Sequence, residues 1–160
     1  MNFVSILMSR ESDIEIMKKC TQTFEKFNVQ YKTSVLSSHI SLTEAKQDIK
    51  DAEEEGAVAF IVVSGNDTEL SSIVTANTTK PVIGVPMEGK EMDTILSTAQ
   101  TPVSMPVGTV TLANASSVNV AYFVMQILAL SNKELAIKLK EDRIVQSKKV
   151  QSDSFEIKVI

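Results

Sequence analysis

Ala57-Val58-Ala59-Phe60-Ile61-Val62-Val63 is an unbroken apolar run that stops at Ser64-Gly65. A run of that length, rich in β-branched and aromatic residues, reads as a strand. Without polar alternation it reads as a strand buried on both faces of a parallel sheet. Just upstream, Leu42 to Glu55 reads as a helix, entered by Ser41 with Glu44 three residues on. Gly56 then stands where a helix C-cap glycine belongs.

The same alternation extends in both directions. Phe3 to Met8, Val29 to Leu36, Pro81 to Pro86 and Val107 to Leu112 read as four further strands. Helices are expected over Ser12 to Phe27, Asn66 to Asn77, Glu91 to Gln100, Ala115 to Leu130, and from Ser131 to Val145. Ser12 with Glu15, and Ser131 with Glu134, have capping-box spacing. Val29 to Leu36 alternates in polarity, as an edge strand does. Five strands alternating with helices predict an α/β fold, a doubly wound parallel sheet with right-handed connections. Residues 1–146 read as a single domain and 147–160 as a C-terminal tail. Within the tail, Ser154 to Ile160 alternates like an extra strand that could join its own sheet or a neighbour's.

Composition narrows the function classes. The chain has 160 residues, 43% hydrophobic and 22% charged, ordinary for one soluble domain with a sizeable core. Its net charge of -4, pI near 5.1 and lack of a basic patch argue against nucleic acid as a partner. One cysteine, Cys20, excludes an internal disulfide framework, and one histidine beside it argues against a structural zinc site. Cys20 falls in a helix and is expected to be buried and inert. Met1 to Met8 lacks a basic leading region and a cleavage site, so it reads as a first strand and not as a signal peptide. Val120 to Leu130 is interrupted by Gln126 and falls short of the ~20 residues a membrane span needs. A cytoplasmic protein without a membrane partner is expected.

Three loops leave the carboxyl ends of strands, where open α/β sheets bind ligands. Ser9-Arg10-Glu11-Ser12-Asp13 runs into a helix N-terminus, which favours an anion, and Arg10 could add a planar phosphate contact. Ser12 as a cap and Asp13 as a complement to the helix dipole is the structural alternative. The second loop carries His39, the only histidine and a candidate general acid or base near neutral pH. In the third, Ser64 to Glu69, Gly65 could let backbone approach a ligand. Glu69 could be a base or could complete a capping box with Asn66. There is no P-loop, no dinucleotide glycine pattern and no GxSxG elbow. Together the loops describe a small anionic ligand held beside a histidine.

The order of these loops resembles the aminoimidazole ribonucleotide carboxylase and carboxyaminoimidazole ribonucleotide mutase family of purine biosynthesis, from about Val4 to Arg143. Thr78-Thr79-Lys80-Pro81-Val82-Ile83-Gly84-Val85-Pro86 looks like the family's TT-x-PVIGVP strand. Gln100-Thr101-Pro102 followed by Met105-Pro106-Val107-Gly108-Thr109 looks like its QMP-x-x-x-PVGT loop, and Gln126 to Leu130 matches its QILAL helix. The resemblance implies a three-layer αβα, flavodoxin-like subunit with five parallel strands in the order 2-1-3-4-5 and C-terminal helices. It also implies a homo-octamer.

In the site the match is residue by residue. The family's GSxSD loop keeps Ser12 and Asp13 here, with Ser9 and Arg10 in place of the leading glycine and serine. Its SAHRTP loop keeps Ser37 and His39, with Ser38 between them, but Ile40 replaces the phosphate-binding arginine or lysine. Its AAHLPG loop keeps only Leu70, and Glu69 replaces the second histidine. The resemblance implies a lyase or isomerase acting on a ribonucleotide with carbon dioxide and without metal or cofactor. His39 would be its acid/base. Arg10, Ser12, Asp13, Ser37 and Gly65 would bind substrate, with Ser9, Ser38 and Glu69 as further candidates. Arg10 is the one arginine near these loops, since Arg143 lies in the last helix. The alternative is a catalytically degenerate paralogue that binds another small phosphorylated ligand or a protein partner.

The helix from Ala115 to Leu130 is apolar nearly all round, and one sheet face in a chain this small cannot cover it. An oligomer is therefore expected at micromolar concentration. Light scattering that reports a monomer would contradict it.

Overall fold

The computed structural model describes residues 2–36, 42–63, 69–85, 101–110 and 116–155. Its strands are β1 (Phe3–Met8), β2 (Tyr31–Val35), β3 (Ala57–Val63), β4 (Val82–Val85) and β5 (Gly108–Thr109). They form one parallel sheet in the order β2-β1-β3-β4-β5. The helices are α1 (Asp13–Lys26), α2 (Leu42–Glu55), α3 (Glu69–Ala76), α4 (Ser116–Ala129) and α5 (Lys133–Phe155). Sheet and helices make a three-layer α/β fold.

β3 is the middle strand, and all its residues except Val58 are buried. Ile61 lies between Ile6 of β1 and Ile83 of β4 in register. One face of the sheet presents Phe3, Leu7, Phe60 and Val62 to Ile49 of α2 and to Leu70 and Val74 of α3. The alternate residues of β1 and β3, Val4, Ile6, Met8, Ala59, Ile61 and Val63, are buried as well. Burial on both faces is why these strands read as unbroken apolar runs. β2 is the exposed edge, which explains its alternation. On α1 the buried stripe is Met17, Cys20 and Phe24. Burial pushes the Cys20 thiol up to about 12, so it is neutral and unreactive near pH 7.

The turns explain where the elements stop. α1 ends in a Schellman arrangement. Asn28 takes the left-handed conformation (φ 57°), its N–H donates to Glu25 O at 3.1 Å, and the Val29 N–H donates to Phe24 O at 2.9 Å. α2 ends as expected at Gly56, with φ 109°. β4 begins after Pro81, which has no N–H but whose carbonyl accepts from Phe60 N–H at 2.9 Å.

Three expectations are corrected. Ser12 makes no side-chain cap, because its backbone is already helical (φ -60°, ψ -21°) and an N-cap needs extended dihedrals. Glu15 pairs instead with Lys18 at 3.5 Å. At the last helix the cap is Asn132, one residue beyond Ser131, with Oδ1 accepting from Leu135 N–H at 3.1 Å. Glu134 is then free to pair with Lys138 at 2.7 Å, which holds its carboxyl below the usual range. Finally, α5 runs past the end expected at Val145 and reaches Phe155. No glycine or proline follows Gly108, and nothing interrupts the helical hydrogen bonds. Residues 156–160, the helix expected at Glu91 to Gln100 and the start expected at Asn66 lie outside the described residues.

The chain divides into two compact units, Met1–Phe123, which holds the sheet, and Val124–Ile160. The boundary between the units falls within α4. In the first unit the Phe27 and Tyr122 rings meet edge to face, 5.8 Å between centroids. In the second, Val124, Met125 and Leu135 are buried, while Leu130 is 88% exposed. Among the described residues no helix is long and apolar enough to cross a membrane.

Ile61→Ala in the sheet centre should cost about 2–5 kcal/mol in denaturant unfolding. Thr33→Ala on the exposed edge should stay within about 0.5 kcal/mol. Equal costs at the two positions would contradict the central place of β3.

Candidate active site

β1, β2 and β3 end together. Met8 is in register with Val35 on one side and Val63 on the other. The backbone continues this pairing for one step. Leu36 N–H donates to Met8 O at 2.8 Å, and Ser9 N–H donates to Val63 O at 3.2 Å. The chain leading to the histidine loop therefore leaves the sheet beside the first loop.

The first loop is fully described. Its opening residue, Ser9, is buried, and its hydroxyl also donates to Val63 O, at 3.1 Å. That hydroxyl ties the end of β1 to β3. Two successive turns follow, Asp13 N–H to Arg10 O and Ile14 N–H to Glu11 O, each at 3.1 Å. They wind the loop into α1 and bring the Asp13 carboxylate back over its own approach.

Asp13 has no exposed side-chain surface. A buried carboxylate has to be paired and hydrogen-bonded. Its Oδ2 accepts from the Arg10 backbone N–H at 3.2 Å, and its Oδ1 accepts from the Ser12 hydroxyl at 3.5 Å. The Arg10 guanidinium closes the group, with Nη2 at 3.6 Å from Oδ1. Arg10 is 56% exposed, so most of its donors face outward, at the positive end of α1. The loop thus has a paired carboxylate inside and an exposed guanidinium outside, beside the exposed Glu11, at a helix N-terminus that favours an anion.

The structure brings together Ser9, Arg10, Ser12 and Asp13 from one loop. Ser37, Ser38, His39 and Gly65 lie outside the described residues, and Glu69 is described only as the first residue of α3. Periodicity could not find the inward turn of Asp13. A charged residue of opposite sign three positions earlier was the available signal. Thr109, at the end of β5, was also missed: among the described residues its hydroxyl oxygen is buried without a hydrogen-bond partner. Thr75 reaches the strand's approach, its hydroxyl donating to Pro106 O at 3.1 Å. Among the described residues no cluster of His, Cys, Asp or Glu is placed to hold a metal.

Comparison with known proteins agrees with the fold. Two solved structures from Treponema denticola, PurE and a PurE2 variant, superpose with TM-scores of 0.85 and 0.87 over 99% of this chain, at 21% identity. They cover 100% and 99% of those chains and share the fold. Among curated relatives, the N5-carboxyaminoimidazole ribonucleotide mutase of Bacillus subtilis is 36% identical over 143 residues, 88% of each chain. That of Pyrococcus horikoshii is 34% identical over 151 residues, 92% of this chain and 84% of its own. That of Escherichia coli K12 is 33% identical over 150 residues, 92% and 89% respectively. The family model for AIR carboxylase matches residues 3–149, and with relatives this similar over most of their length the chain belongs to the AIR carboxylase family.

Proposed function

We propose that this protein is an enzyme of purine biosynthesis, a carboxyaminoimidazole ribonucleotide mutase or carboxylase. The observation that carries the reading is its 33–36% identity, over most of both chains, with relatives that bear the mutase name. The first loop supports it, because Arg10 is exposed beside the N-terminus of α1, where an anion is favoured. We assign the activity to residues 1–146 as one functional domain, in a cytoplasmic homo-octamer. Phe123, 39% exposed on the apolar helix α4, supports assembly.

In the mutase reaction the bond between the exocyclic nitrogen and the carboxylate breaks, and carbon dioxide leaves. The nitrogen takes a proton as it does so. The ring carbon then attacks carbon dioxide, a carbon–carbon bond forms, and the ring carbon gives up its proton. One group can supply the first proton and recover the second, so the sequence balances without metal or cofactor. His39 is the residue we assign to it, since imidazole exchanges protons near neutral pH. Ser37 and Gly65 are assigned to substrate, with Ser38 and Glu69 lining the same loops. A carboxylase would begin at the second bond, with free carbon dioxide.

Arg10 is assigned to the phosphate, in place of the cation that Ile40 lacks. A second reading is favoured by Ile40 and Glu69, which replace the family's phosphate cation and second histidine. On it the chain is a paralogue that kept the fold and binds another phosphorylated ligand or a protein.

Wild-type protein should convert synthetic carboxyaminoimidazole ribonucleotide, and His39→Asn should lose about 10²-fold or more in kcat. An inactive wild type favours the paralogue, whereas an active His39→Asn removes the histidine assignment. Arg10→Ala should weaken ribonucleotide binding by at least about tenfold, roughly 1.4 kcal/mol. Calorimetry showing unchanged affinity would contradict the phosphate role.

A further inference from the structure

We propose that the Ser9 hydroxyl is a clasp between the roots of the first and third strand-end loops, which makes Ser9 a positioning residue for the ligand those loops hold. This inference rests on the ribonucleotide reading above. The GSxSD motif that the first loop resembles has glycine at this place, so the hydroxyl is an addition to that pattern.

The last rung of the ladder between β1 and β3 is the bond from Ser9 N–H to Val63 O, at 3.2 Å. The Ser9 hydroxyl donates to the same carbonyl at 3.1 Å. A carbonyl oxygen has two lone pairs and accepts both. Ser9 is buried, so neither bond is readily exchanged for one to water. Past this rung the two chains part. One continues into Arg10 and Ser12, and the other leaves β3 at Val63.

A rung at the end of a ladder has no pair beyond it and opens more readily than one inside the sheet. The second donor makes that opening more costly. While the rung is closed, the two loop roots keep one separation, although they lie 54 positions apart in sequence. A ligand that touches both loops then meets a site ordered in advance, which lowers the ordering cost of binding.

The experiment compares wild type with Ser9→Ala, which removes the hydroxyl and keeps the backbone donor. Amide exchange of the ligand-free proteins is read by NMR and corrected for intrinsic rates. It should quicken roughly five- to tenfold at residue 9 and change less than about twofold at Ile61. Calorimetry should show aminoimidazole ribonucleotide bound more weakly by a similar factor, with the loss in turnover falling on KM. Equal quickening at both amides would make the hydroxyl a contributor to general stability alone and overturn the inference. Weaker binding with exchange unchanged would make Ser9 a direct ligand contact and overturn it as well. So would quicker exchange at residue 9 with affinity unchanged.

A second measurement uses wild type alone. The Ser9 hydroxyl proton should give its own NMR signal, coupled to the Ser9 β-protons, because a buried bonded hydroxyl exchanges slowly with water. A hydroxyl averaged with water would overturn the clasp even if Ser9→Ala does not fold. Wild type that binds no ribonucleotide would end the functional reading, while the exchange data still judge the clasp.

Discussion

Burial of β3 on both faces is the constraint on which the rest depends. A strand with helices above and below must be paired on both edges and apolar throughout. β1 and β4 provide the pairing, and the register Ile6–Ile61–Ile83 locks side chains across the three. The same register makes Met8, Val35 and Val63 end at one level. Loops from three strands therefore start beside each other, although they are distant in sequence. The meeting of these strand ends follows from the packing of β3.

At that level the first loop solves a local problem of charge. Asp13 is the first residue of α1 and fully buried, and an unpaired carboxylate there would be costly. Arg10 offsets the charge from the outside, and Ser12 and the Arg10 amide satisfy the oxygens. The same ion pair leaves the Arg10 guanidinium half-exposed at the surface.

The buried strands were legible because burial leaves a composition signature. Ala57–Val63, Phe3–Met8 and Leu42–Glu55 have the bounds expected of them. Family membership was legible in the apolar and proline-bearing stretches around Thr78 to Pro86 and Met105 to Thr109. Helix ends were less so. Ser12 and Ser131 carry the spacing of caps, but capping depends on backbone dihedrals at one residue, and several polar neighbours compete for the role. Asn132 won at one end and no side chain at the other. The end of α1 was hidden because Asn28 does what glycine usually does.

The amino-acid sequence by itself determined the alternation of strand and helix, the buried central strand and the family. These depend on local periodicity and on which residues tolerate burial. Tertiary structure alone decided that Ser9 bonds to Val63, that Asp13 points inward, and that Arg10 is left outside with its charge answered. Those outcomes depend on distances between groups up to 54 positions apart. Side-chain oxygens choose partners only after the strands have set those distances.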